Sequence, residues 1–169
     1  MAKHGDLFIF IGTYPAKEAA EADFEVVMEL HSVGAVGSYD AAIVTKDAEG
    51  RIHVTKIEMA ARHAGWSGAA AGALIGLLFP PAIVGTAIVG GAIGAVSGHL
   101  WRGMSRSDVR ELGETIDAGE VALVVVGENK MEQTLDIHEF TAERHVLKNL
   151  DIALEDIDSA IAEAANEVG

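Results

Sequence analysis

Along this chain, apolar and polar positions recur in patterns that predict most of its elements. Asp6 to Tyr14 is a short apolar run stopped by Pro15, as expected of a buried strand. From Ala16 to Val33 the apolar positions adopt helical spacing: Ala20, Phe24, Val27, Met28 and His31 share one arc, while Lys17, Glu18, Glu21 and Glu25 largely point elsewhere. Gly34 and Gly37 end that helix. Tyr39 to Lys46 and Ile52 to Met59 read as two strands. The polar link Asp47-Ala48-Glu49-Gly50 between them is a hairpin signal.

The second half repeats the theme. Ser105 to Ile116 predicts a short helix, with Ser105 and Asp108 at capping-box spacing. Val121 to Val126 is a strand opened by the turn Asp117-Ala118-Gly119. Met131 to Phe140 predicts a helix and Arg144 to Leu150 a strand. Leu154, Ile157, Ile161, Ala164 and Val168 form the seam of a closing helix whose other side is acidic. Two strand–helix–strand halves predict an α+β fold with a ferredoxin-like split antiparallel sheet, helices on one face. Ile52 to Met59 then adds an edge strand. Residues 1–60 form the first half with that strand, 61–104 an inserted glycine-zipper α-helical hairpin, and 105–169 the second half with the C-terminal helix.

The insertion carries the strongest pattern. No charged residue occurs from Ala64 to Gly98. Gly68, Gly72 and Gly76 recur every fourth residue, with Gly65 on the same stripe, and Gly90, Gly94 and Gly98 repeat the spacing beyond Phe79-Pro80-Pro81. Such spacing stacks the glycines on one helix face, where another backbone can come close. These seven glycines are the candidate packing and oligomerisation residues. Helical arms over 65–79 and 82–100 would span about 22 and 28 Å, against roughly 30 Å for a bilayer's hydrocarbon core. Arg62, His63 and Trp66 on one side and His99, Trp101 and Arg102 on the other resemble interfacial anchors, with Arg106 following; basic flanks prefer the cytoplasmic side. The plainer account is an apolar hairpin buried in a core or between subunits.

Composition narrows the choices. The 169 residues suit one compact domain with an insertion, and Ala, Gly, Val and Ile carry most of the hydrophobicity because only 5% are aromatic. The net charge of −14 argues against a nucleic-acid partner, which needs clustered Lys and Arg. With no cysteine, disulfides, thiolate catalysis and zinc–sulfur sites are excluded. The N-terminal run is too short for a signal peptide and lacks a small-residue cleavage site, so the start of the chain is expected in the cytosol.

Several local motifs fit one family. Gly12-Thr13-Tyr14, Asp40-Ala41-Ala42, Lys46-Asp47 with Gly50, and Arg62-His63-Ala64-Gly65-Trp66 belong to the pattern. So do the zippered hairpin, Gly103-Met104-Ser105-Arg106, and Glu111-Leu112-Gly113-Glu114 through Asp117-Ala118-Gly119-Glu120. Together they resemble a bacterial group designated domain of unknown function twelve-sixty-nine and often labelled a membrane protein, its actinobacterial branch most of all. The resemblance covers about residues 6 to 127 well and the C-terminal helix more loosely. It implies a prokaryotic, membrane-associated protein and carries no activity, so no catalytic residue is transferred.

Residues of chemical interest have plainer readings. His138 and His145 flank Glu139 and Glu143, but seven residues separate the imidazoles, which is no recognised ligand spacing, so surface histidines are the better reading. His31 reads as a hydrogen-bonded core residue, and His63 and His99 as anchors rather than a shared anion site. Glu111 with Glu114, or Asp117 with Glu120, would serve acid–base chemistry only in a pocket that raised one pKa. Gly12-Thr13-Tyr14-Pro15 lacks the glycine pattern and lysine of a phosphate loop, and Gly90-Gly91 with Gly94 has no preceding strand.

Three readings of function follow, with no catalytic residue, cofactor or metal expected. The first is a non-enzymatic protein of the bacterial inner membrane, both termini cytoplasmic, that self-assembles through the glycine stripes and contacts lipid. The second is a cytoplasmic homo-oligomeric scaffold or binding module that buries the hairpin between subunits. The third is a small-ligand sensor or enzyme using the cleft of the sheet.

Overall fold

The computed structural model describes residues 6–34, 36–47, 49–59, 74, 75, 78, 104–117, 121–129, 141–153 and 159. Over these residues the chain is α+β. In order come strand β1 (Asp6–Tyr14), helix α1 (Lys17–Ser32), strands β2 (Val36–Lys46) and β3 (Ile52–Met59), helix α2 (Arg106–Asp117), and strands β4 (Val121–Asn129) and β5 (Arg144–Ala153). The five strands form one sheet in the order β3-β2-β4-β1-β5, with every neighbouring pair antiparallel.

Register explains why the central strands are apolar throughout. In β1, Phe8, Phe10 and Tyr14 face one way, opposite Val125 and Val121 of β4, which in turn lie opposite Ala41 and Thr45 of β2. With Tyr39, Ile43 and Leu123, all of these but Thr45 meet Ala20, Phe24 and Val27 of α1 in one core. The alternate residues, Leu7, Ile9, Ile11, Ala42, Val44, Val124 and Val126, point to the other face and are equally buried. A strand covered on both sides has no polar alternation to show.

The two helices therefore lie on opposite faces. α1 packs on β2, β4 and β1, whereas α2 packs on β1 and β5. Lys148, opposite Ile9 in register, reaches Asp108 and Glu111 and so marks the α2 side. The helices expected on one face are α1 and the one over 131–140; the latter lies outside the described residues, and α2 takes the face opposite α1.

Local signals set most boundaries. Gly34, at φ +83°, ends α1 in the left-handed region, and its N–H reaches the His31 carbonyl. Asp47 organises the β2–β3 turn by accepting from the Glu49 and Arg51 N–H groups, and Gly50 supplies φ +84°. The capping box of α2 forms as the spacing predicts: the Asp108 N–H donates to Ser105 Oγ, and the Ser105 N–H to Asp108 Oδ2.

Some expectations need adjustment. β2, β4 and β5 each run three residues beyond the predicted strands, because the ladder continues where composition falters: Val36 still pairs with Asn129, and Asp6 with Ala153. On α1, Met28 is 40% exposed rather than in the core, and Asp23 is wholly buried in its stead on the opposite rim of the arc. The helices expected over 131–140 and at the C-terminus lie outside the described residues, apart from helical Ser159.

Candidate functional site

Attention falls on the second face of the sheet, since it must be covered by something other than α1. Ala42 and Val44 of β2 and Ala122, Val124 and Val126 of β4 are 0–1% exposed there, and the carboxylate residue Asp40 is wholly buried among them. α2 packs over β1 and β5, to one side of them, placing Leu112 and Ile116 in the core. From the insertion, Leu74 and Ile75 are buried and Leu78 is half-buried, all three helical. A Cβ built on Gly113 of α2 would lie 3.9 Å from the Leu78 carbonyl oxygen, so helical Leu78 sits beside α2. Met104, just ahead of α2, is also buried.

α2 is tied to the sheet by charge as well as packing. Lys148 Nζ lies 2.7 Å from Glu111 Oε2 and 3.3 Å from Asp108 Oδ1. The Glu111 hydrogen bond and then Asp108 hold the ammonium above its ordinary range, against a desolvation effect of opposite sign. The Asp108 carboxyl is held below the usual carboxylate range, chiefly by the Ser105 N–H at the helix cap, with Lys148 adding to it. Asp108 thus serves cap and ion pair together.

A second polar cluster closes the other end of β1. Tyr14 Oη donates to Asp23 Oδ2 at 2.7 Å, and the Thr141 N–H and hydroxyl donate to the same carboxylate at 2.9 Å. Burial first, then Asp23, pushes the Tyr14 phenol far above its ordinary range. The Glu143 N–H donates to the Thr13 carbonyl, completing the seam between β1 and the chain that begins β5. Here a glycine is required. A Cβ on Gly12 would sit 2.8 Å from the Ala142 Cβ, 2.9 Å from Tyr14 Oη and 3.0 Å from Phe10 Cζ. With its donors and acceptors satisfied by one another, the cluster is a structural lock. Its signal in sequence, an aspartate inside an apolar helical arc, has meaning only once Thr141 is known to be near.

The expected site residues are distributed as follows. Gly65, Gly68, Gly72, Gly76, Gly90, Gly94 and Gly98, and the anchors Arg62, His63, Trp66, His99, Trp101 and Arg102, lie outside the described residues. So do His138, Glu139 and Glu120. His145 stacks on Phe10 with ring centroids 6.3 Å apart, and His31 meets the Tyr39 ring edge-on at 5.2 Å. Glu111 is engaged by Lys148, while Glu114 is exposed. Among the described residues no group of three His, Asp or Glu could hold a metal ion, and no helix is long and apolar enough to cross a membrane.

No curated protein and no solved structure matches the chain. A family described as protein of unknown function (DUF1269) matches residues 65–161, more than half of the chain. That span takes in the insertion's glycines and the motifs from Gly103 to Glu120, and it begins after the Gly12-Thr13-Tyr14 and Asp40-Ala41-Ala42 motifs. Because the match takes in the insertion, α2, β4 and β5, the chain belongs to the family of proteins of unknown function (DUF1269).

Proposed function

We propose that this is a non-enzymatic, self-assembling scaffold whose apolar insertion folds back on its own sheet. One observation carries the reading. Leu78 of the first arm lies against Gly113 of α2, while Leu74 and Ile75 beside it are buried. An insertion held beside α2 would be placed to cover Ala42, Val44, Val124 and Val126, on the face where α2 also lies. The glycine stripes, with their capacity for close helix approach, then serve to join the second arm or a second copy of the chain.

A ferredoxin-like split sheet accompanies this proposal. With edge strand β3 set aside, the antiparallel order β2-β4-β1-β5 is what two interleaved strand–helix–strand units produce. The second of those helices is the one expected over 131–140.

The membrane-associated reading is supported by a different observation, the uncharged stretch from Ala64 to Gly98 between Arg62 with Trp66 and Trp101 with Arg102. The two readings differ in where Leu78 resides. An arm crossing a bilayer from Gly65 would carry Leu78 about 20 Å from the membrane surface at which α2 begins. Because the chain has no cysteine, a Leu78→Cys/Gly113→Cys pair tests this cleanly. The folded-back arm forms an intramolecular disulfide under mild oxidation, in protein recovered without detergent. A pair that stays reduced, in protein extracted only by detergent, favours the membrane-spanning hairpin.

A further inference from the structure

We draw no further inference here: the strongest candidate, the apolar stretch of β2 and β4 on the sheet face that α2 shares, with Asp40 buried opposite Val126 in register, carries nothing, because nothing among the described residues shows what covers it.

Discussion

Glycine and aspartate do the most specific work in this protein at the scale of single residues. Gly12 is required by space: Ala142 Cβ, which has no flexible end to yield, would stand 2.8 Å from any Cβ placed there. Gly127 plays the same part in β4, where a Cβ would meet the Phe8 ring at 2.7 Å and Tyr39 Cβ at 3.1 Å. Gly12→Ala is therefore expected to destabilise the fold by about 1–3 kcal/mol through overpacking. Urea unfolding checks this: the midpoint falls while the slope stays constant. Gly12 was legible as part of a strand and of a family motif but not as a packing requirement, because the obstruction comes from residue 142. Asp23 was not legible at all. Its partners are Tyr14, nine positions away, and Thr141, 118 positions away, and no local pattern encodes the second.

Elements were the most readable level, for a physical reason. Capping, turn and periodicity signals act over three to five residues, so a sequence contains both partners of each interaction. The Ser105–Asp108 box and the Asp47 turn formed as their spacing implied. The turn also carries a pH dependence. The His53 hydrogen bond, followed by the Arg51 N–H, holds the Asp47 carboxyl below the usual carboxylate range. A depressed folded-state value means that the contribution is present above the ordinary carboxylate range and is lost as pH falls through the lowered value. Protection of the Glu49 and Arg51 amides from hydrogen exchange should accordingly drop in that acid window, and Asp47→Asn should remove the step. Unchanged protection through the window would refute the role given to Asp47. Strand ends were read too short because composition weakens before the ladder does, as Val36 paired with Asn129 illustrates.

At the scale of the whole molecule, the sheet carries a helix on each face: α1 on one, and α2, over β1 and β5, on the other. Self-assembly through the glycine stripes is the property to measure. Gly72→Leu or Gly94→Leu is expected to reduce the native particle mass to that of the 17.7 kDa chain, read by light scattering. The same oligomer before and after substitution would remove the stripes from the interface. Membership of the DUF1269 family rests on residues 65–161, so the insertion and α2 belong to what the family shares, whereas β1, α1, β2 and β3 precede the matched span.

By itself the sequence determined the kinds and order of the described elements, the uncharged character of 64–98 and the lack of any thiol chemistry, since each depends on residue type or on neighbours a few positions apart. Tertiary structure alone decided which strands are adjacent, that α2 lies on the face opposite α1, that Asp23 rather than Met28 is buried, and that Leu78 meets Gly113. Each of these joins residues far apart in the chain. Helical and strand periodicity says which side of an element is apolar, but only closure of the chain in space determines what that side faces.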